Sequence, residues 1–159
     1  MQSEQLIKAF AATVQASLHG LQSIEPVLRH EQEALTGRDP GHLEQTVQEK
    51  LTLLKQLEHS VQARDRLQKA AGVAEGLEGG SHMVETIRQP QLSADWMAMT
   101  DLAQVVADLN DRNGQLALQG QRATRAALGI LTGRDAKEDT YSTLRHKCGG
   151  VASQTLGKV

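Results

Sequence analysis

Aromatic residues are nearly missing from this 159-residue chain, in which Phe10, Trp96 and Tyr141 are the only ones. Pleated sheets favour aromatic and β-branched side chains, so this scarcity argues against an all-β fold. It also leaves no row of aromatic rings on which the bases of a single-stranded nucleic acid could stack. The formal net charge is −2. The chain therefore has no overall basic footprint for nucleic acid, and we expect no nucleic-acid partner.

Cysteine and long apolar runs are equally scarce. Cys148 is the only cysteine, which excludes an intrachain disulfide and a thiolate metal cluster. The N-terminus lacks the charged region and apolar run of a signal peptide. No apolar stretch approaches the roughly 20 residues that are needed to span a bilayer. We therefore expect a soluble, cytoplasmic protein without membrane insertion.

Catalytic and metal-binding patterns are also lacking. The segment that begins His30-Glu31 has Ala34 where a zinc-binding helix needs its second histidine. No glutamate is followed three residues later by a histidine, as a di-iron helix bundle requires. Cys148 is a lone thiol without a preorganised base, and no glycine loop has the order of a phosphate-binding loop. We expect no enzymatic activity, no cofactor and no resident metal.

The residues that dominate instead are Ala, Leu, Gln and Glu, which are good helix formers. In three segments, apolar residues recur at alternating steps of three and four, the spacing of helices that pack lengthwise. We predict an all-α fold in which three long amphipathic helices form an antiparallel, coiled-coil-like bundle within a single domain. The predicted helices lie at about 3–36, 40–70 and 94–132, with a loop at about 71–93 and a mobile tail at 133–159.

A seam of regularly spaced residues marks the predicted core of the first two helices. In the first helix the seam comprises Ile7, Phe10, Val14, Ser17, Leu21, Ile24, Leu28, Glu31 and Leu35. In the second it comprises Leu43, Val47, Lys50, Leu54, Leu57, Val61 and Arg64. Glu31 and Lys50 fall within these seams, and we expect their long side chains to reach out to the edge of the bundle.

The seam of the third helix changes character along its length. Its members are Met99, Leu102, Val106, Leu109, Asn113, Leu116, Gly120, Ala123, Ala127 and Ile130, with Leu118, Leu128 and Leu131 off the seam as a further apolar flank. Gly114 and Gly120 each lower intrinsic helix stability by about 1 kcal/mol relative to Ala. The small residues leave room either for a partner helix or for the other helices of the same chain. Arg112, Arg122 and Arg125 add a basic flank, suited to an acidic partner or to solvent.

Three motifs occur in a fixed order along the chain. A leucine–glutamate–alanine–leucine pattern lies at 28–35 and is followed by Asp39, and a lysine followed by paired leucines lies at 50–58. A motif of two asparagines and then glycine lies at 109–116, followed by 128–133 and by Thr140-Tyr141. In order and spacing, and over nearly the whole chain, these motifs resemble those of the FlgN-like flagellar type III export chaperones.

The resemblance implies a cytoplasmic chaperone of flagellar assembly. Its cargo would be the hook-associated proteins of the hook–filament junction, bound by their C-terminal helical segments, kept from premature assembly and delivered to the membrane protein of the export gate. The implied cargo-binding residues are Leu102, Val106, Leu109, Asn113, Leu116, Gly120, Ala123, Ala127 and Ile130. The family's tail tyrosine, which docks at the cytoplasmic domain of the gate protein, corresponds to Tyr141. The chain departs from the family here, because Ser142 stands where the family often has glycine.

A self-associating coiled-coil scaffold or adaptor without export cargo is the alternative that the residues leave open. The small seam residues would then line the chain's own dimer interface, and one helix from each chain would complete a four-helix bundle. We expect a monomer or a weak homodimer. A strictly monomeric chain would count against the scaffold.

Overall fold

The computed structural model describes residues 2–132, which form four α-helices joined by short connections. They are α1 (Gln2–Gly37), α2 (Pro40–Ala70), α3 (Gly76–Ile87) and α4 (Pro90–Thr132). The predicted all-α class is confirmed, with one short helix in addition to the three long ones. The predicted mobile tail, including Tyr141 and Cys148, lies outside the described residues.

A two-residue turn joins α1 to α2. Arg38 adopts the left-handed conformation, with φ 55°, and reverses the chain. The carboxylate of Asp39 then accepts a hydrogen bond from the backbone N–H of His42 at 3.1 Å, which satisfies one of the free N–H groups at the start of α2. Pro40 occupies the first helical position, where its missing N–H costs no hydrogen bond.

Small side chains allow α1 and α2 to pack closely. Gly20 faces Leu57, whose Cδ1 would lie 3.4 Å from a β-carbon added to the glycine. Farther from the turn, the Ser17 hydroxyl donates a hydrogen bond to the Ser60 hydroxyl at 3.1 Å. Residues more distant from the turn on one helix thus meet residues more distant on the other, as in an antiparallel helix pair.

The predicted α1 seam is confirmed from Phe10 to Glu31, where every member is buried. The predicted α2 seam is partly wrong: Thr46 is buried in place of Val47, and Leu53 rather than Leu54 packs against the core. The Thr46 hydroxyl donates to the carbonyl oxygen of His42 at 3.0 Å, so its burial leaves no unsatisfied donor. Hydropathy alone therefore misplaces this part of the seam.

The segment predicted as a loop at 71–93 is mostly helical, because it contains α3 and because α4 begins at Pro90. Its glycines, which favour a loop by composition, are instead sites of close packing. A β-carbon on Gly80 would overlap the Trp96 ring, and one on Gly79 would overlap the carbonyl of Ala74. Both glycines are buried, and these close contacts explain why glycine occurs within the helix despite its low helix propensity.

Polar contacts to Gly76 hold the start of α3 against α2. Gln68 Nε2 donates to the Gly76 carbonyl oxygen at 2.8 Å, and the Gly76 N–H donates to Asp65 Oδ1 at 3.3 Å. Gly76 has a φ of 88°, a conformation that glycine adopts without steric cost. These hydrogen bonds fix the first residue of α3 relative to the end of α2.

Trp96 of α4 contacts all three other helices. Its ring stacks on Phe10 of α1 with centroids 6.2 Å apart, and the Arg64 guanidinium of α2 lies 5.6 Å from its centroid. Its indole N–H donates to the Ser81 hydroxyl of α3 at 3.2 Å, beside Gly80. One aromatic residue therefore joins the four helices at this end of the core.

The chain divides into two compact units, Met1–Ala117 and a second that begins at Leu118. α4 contributes to both units. The buried apolar core lies in the first unit, where residues of α1, α3 and α4 form one cluster with leucines of α2 packed against it.

Candidate partner-binding surface on α4

All nine residues predicted to bind cargo lie on α4, and those that are buried or half-buried precede those that are exposed. Val106, Leu109 and Asn113 are buried, Leu102 and Leu116 are half-buried, and Gly120, Ala123, Ala127 and Ile130 are exposed. The nine residues therefore do not form one open surface. The division falls close to the boundary between the two compact units at Ala117.

The buried members serve the core of the first unit. Val106 and Leu109 belong to the same apolar cluster as Leu21, Ile24 and Leu28 of α1. In this arrangement a partner could reach Val106 or Leu109 only by displacing α4 from α1. Their apolar spacing indicates a contact face correctly, but α1 covers that face.

Asn113 is the last buried residue of α4 and is part of a polar cluster. Its Nδ2 donates to the Leu28 carbonyl oxygen at 2.7 Å and to Glu31 Oε2 at 2.8 Å. Lys50 Nζ of α2 donates to the other carboxylate oxygen, Glu31 Oε1, at 2.6 Å. We call Glu31, Lys50 and Asn113 the polar cluster. It joins α1, α2 and α4 through the single buried carboxylate of Glu31.

The prediction that Glu31 and Lys50 reach the edge of the bundle is wrong for Glu31, whose side chain is only 5% exposed, whereas that of Lys50 is 17% exposed. The carboxylate is buried because each of its oxygens has a charged or polar donor. The amide of Asn113 is oriented by its neighbours, since both groups that face its nitrogen are acceptors. Its Oδ1 is buried without a partner among the described residues, so the polar cluster is not fully satisfied.

Beyond Ala117, α4 exposes large apolar side chains. Leu118 is 54% exposed, Leu128 55%, Ile130 83% and Leu131 82%. A β-carbon added to Gly120 would meet no atom within 4 Å in the part of the chain that is described. The surface of this stretch is thus open and apolar, and a contiguous apolar patch marks an interaction site more often than single exposed residues do.

These exposed residues lie on two sides of α4. Five residues share one side of the helix because they are spaced three, four or one position apart. We call this group the seam face: Gly120, Ala123, Ala127, Ile130 and Leu131. Steps of four, three and three place another group on the other side of the helix. We call this group the basic face: Leu118, Arg122, Arg125 and Leu128. A helix with apolar side chains on both sides is ordinarily covered on both.

Charge is segregated along α4. From Pro90 to Asp111 the acidic residues are Asp95, Asp101, Asp108 and Asp111, and there is no lysine or arginine. From Arg112 to Thr132 the basic residues are Arg112, Arg122 and Arg125, and there is no aspartate or glutamate. This order matches the helix dipole, and it makes the exposed stretch of α4 basic.

Leu131 extends the seam face although the heptad spacing does not include it, and Leu118 and Leu128 likewise extend the apolar surface outside that spacing. The sequence predicts these three residues only as an apolar flank beside the seam. Over residues 2–132, no group of three or more His, Cys, Asp or Glu side chains is placed to hold a metal ion. No helix in the same range is long and apolar enough to cross a membrane.

Comparison with known proteins identifies the family through sequence alone. No curated protein and no solved structure shows a significant match to the chain. A family model described as FlgN protein matches residues 1–143, a range that includes all four helices. Members of this family are flagellar export chaperones, which bind hook-associated proteins in general. The chain therefore belongs to the FlgN family of flagellar export chaperones.

Proposed function

We propose that the chain is a cytoplasmic chaperone without enzymatic activity that binds the C-terminal helical segments of hook-associated proteins. It prevents their premature assembly and delivers them to the type III export gate. The observation that supports this proposal is the exposure of Leu128, Ile130 and Leu131 on α4. Burying apolar surface releases about 25 cal/mol per Å², so a helix that covers these side chains would be stabilised on the chaperone.

The cargo site is assigned to the seam face. Gly120, Ala123 and Ala127 have little or no side chain, so a cargo helix can approach the α4 backbone closely there. Ile130 and Leu131 lie at one end of this shallow surface and provide apolar contacts. The first unit would then provide the folded core, and the exposed stretch of α4 would provide the cargo contacts. Release of the cargo would be passive.

The other predicted cargo residues have a different role in this proposal. Val106, Leu109 and Asn113 hold α4 in the core, and Leu102 and Leu116 border that packed region. We therefore expect substitutions at Val106 to reduce stability before they reduce cargo binding. Substitutions on the seam face should do the reverse.

The test is a titration of the purified chain with the C-terminal helical peptide of a hook-associated protein, followed by calorimetry and circular dichroism. We expect saturable, equimolar binding with a negative heat-capacity change, because apolar surface is buried. The variant Ala123→Arg/Ala127→Arg should abolish binding, since two long charged side chains would fill the space for the cargo helix.

The matched control is Ala98→Arg/Ala107→Arg, which adds the same charges at exposed positions of α4 in the first unit. This control should bind the peptide like the unmodified chain, and both variants should retain its helicity. Normal binding by the Ala123→Arg/Ala127→Arg variant would place the cargo site elsewhere. Absence of peptide binding at high micromolar concentration would contradict the chaperone proposal itself.

Tyr141 remains the proposed docking residue for the export gate, on the family resemblance alone. We expect Tyr141→Ala to leave peptide binding unchanged and to weaken binding to the cytoplasmic domain of the gate protein. A pull-down with that domain measures the second effect. Equal recovery of Tyr141→Ala and the unmodified chain would remove Tyr141 from the docking site.

A self-associating scaffold is the second candidate, and exposed leucines on α2 favour it. Leu51 is 52% exposed and Leu54 is 40% exposed. Sedimentation of the chain over a range of concentrations distinguishes the two candidates. A stable dimer that the peptide does not dissociate supports the scaffold, whereas a monomer that binds peptide supports the chaperone.

A further inference from the structure

We propose that the basic face of α4 binds an acidic helical segment of the cargo, in addition to the apolar contacts of the seam face. This inference rests on the proposed chaperone function and specifies the chemistry of its partner. The basic face begins with Leu118, continues with Arg122 and Arg125, and ends with Leu128. A complementary helix would place apolar side chains opposite the two leucines and carboxylates opposite the two arginines.

Neither arginine has an acidic neighbour along its own helix. The positions three and four residues away from Arg122 and Arg125 are occupied by Leu, Gln, Ala, Gly and the arginines themselves. Within the described range, no carboxylate lies within 4.0 Å of either guanidinium. By contrast, two exposed bases of α1 have such a neighbour: Lys8 pairs with Glu4 at 3.0 Å and Arg29 with Glu25 at 2.7 Å.

The spacing of Arg122 and Arg125 places two like charges on adjacent turns of one helix face, an arrangement that disfavours the isolated helix. A partner carboxylate between them would relieve this repulsion and form charge-assisted hydrogen bonds with both guanidinium groups. Arginine suits this role because its planar head binds a carboxylate through two parallel hydrogen bonds. The flanking Leu118 and Leu128 are more than half exposed, so such a partner would also cover apolar surface.

The experiment measures the affinity of the full chain for the C-terminal helical peptide of a hook-associated protein at low and high salt. The variant is Arg122→Glu/Arg125→Glu, and Lys55→Glu/Arg66→Glu on exposed positions of α2 is a control with the same change in charge. At about 50 mM salt the variant should bind about tenfold more weakly, and at about 500 mM the difference should shrink to about twofold, because salt screens exposed charges. The control should stay within about twofold of the unmodified chain at both concentrations.

A second peptide, in which each Asp and Glu is replaced by Lys, makes the test reciprocal. It should bind the unmodified chain poorly and bind Arg122→Glu/Arg125→Glu better, since the charges are then exchanged across the interface. Equal affinity of the variant and the unmodified chain for the original peptide, at both salt concentrations, would overturn the inference while leaving the seam face intact. Failure of the unmodified chain to bind at any salt concentration would instead contradict the proposed function.

Two other occupants of the basic face are distinguishable. If Arg122→Glu/Arg125→Glu dissociates a dimer of the free chain in sedimentation, a second copy occupies the face and the inference is wrong. If Asp135→Asn/Glu138→Gln/Asp139→Asn tightens peptide binding at low salt about as much as the arginine variant weakens it, the chain's own acidic segment competes for the face. Such competition would support the inference, because the peptide and the chain's own carboxylates would then bind the same two arginines.

Discussion

Between Pro90 and Ala117, α4 buries the apolar side chains that face the core and exposes only Met97 and Val105 among its large ones, whereas from Leu118 to Thr132 its large apolar side chains are all exposed. Both stretches have a helical apolar period, and leucine is frequent in both. In the first stretch the buried residues belong to one cluster with Leu21, Ile24 and Leu28 of α1. The second stretch has apolar side chains of similar size that no described residue covers. Periodicity therefore identifies a contact face, but it does not say which molecule covers that face.

The polar cluster marks where the buried stretch of α4 ends. Asn113 contributes an amide to Glu31 and to the Leu28 carbonyl, and no later residue of α4 through Thr132 is buried. Buried polar residues in a helical seam are known to fix the register of neighbouring helices, because only one alignment satisfies their hydrogen bonds. We infer the same role for Asn113.

The largest effect should come from removing an apolar side chain that α1 covers. Leu109→Ala should lower the free energy of unfolding by about 3–4 kcal/mol, because it removes buried contacts and leaves a cavity. Ile130→Ala is the matched change in the exposed stretch, and it should alter stability by less than about 0.5 kcal/mol. Urea denaturation followed by circular dichroism measures both values.

Peptide affinity should show the reverse order in the same two variants. Ile130→Ala should weaken cargo binding, whereas Leu109→Ala should bind normally at temperatures where it is folded. A large loss of stability in Ile130→Ala would mean that this side chain is buried in solution. The distinction between the two stretches of α4 would then fail.

The next largest effect concerns the ion pair of the polar cluster. Glu31→Leu should lower the free energy of unfolding by about 2–3 kcal/mol, because Lys50 and Asn113 lose their acceptor. The loss is moderated since Lys50 is partly exposed and can reach water. The double variant Glu31→Leu/Lys50→Met should regain most of this stability, because an apolar pair replaces the buried charges.

The exposed pair of Glu25 and Arg29 provides the comparison for this prediction. Glu25→Leu removes a salt bridge of 2.7 Å on the surface, and its cost should be below about 1 kcal/mol. Thermal or urea unfolding of the three variants tests the order. If Glu31→Leu costs no more than Glu25→Leu, the polar cluster does not contribute to stability as its burial indicates.

A smaller effect is expected from Asn113 itself. Asn113→Leu should lower stability by about 1–2 kcal/mol, because the Leu28 carbonyl and one Glu31 oxygen lose a donor. Removing the unpartnered Oδ1 from the interior offsets part of this loss. Amide hydrogen exchange should show faster exchange between Met99 and Asn113 and no change beyond Leu118. Faster exchange in both stretches would argue against independent behaviour of the two units.

Much of this fold can be predicted from the sequence, because the α1 seam repeats without interruption. The burial of the seam residues between Phe10 and Glu31 follows directly from their spacing of three and four positions. Helix α3 cannot be predicted in this way, since its packing depends on glycines. Gly79 and Gly80 favour loops by composition, and only the Trp96 ring and the Ala74 carbonyl show why a residue without a side chain is needed there.

The candidate site can be predicted only in part, and for a similar physical reason. The apolar spacing reveals the seam of α4, but a heptad pattern does not distinguish Leu109, which α1 covers, from Ile130, which is exposed. For polar residues the error is the reverse, because a residue that is expected to be exposed is buried. The length and charge of Glu31 predict a position at the edge of the bundle. Its partners Lys50 and Asn113 come from sequence positions far away, so its burial depends on the tertiary structure.

The smallest expected effect compares two glycines of α4 that are alike except for their unit. Gly114 and Gly120 are both exposed, and a methyl group added to either meets no atom within 4 Å among the described residues. Replacing either by Ala should favour the helix by about 0.5–1 kcal/mol, because alanine loses less backbone entropy. Gly114→Ala, in the first unit, should raise the free energy of global unfolding measured in urea. Gly120→Ala should leave that value unchanged and slow amide exchange only between Leu118 and Thr132, because this stretch opens without unfolding the core. Equal stabilisation of global unfolding by both variants would show that α4 unfolds as one cooperative element, so that its exposed stretch is not independent of the core.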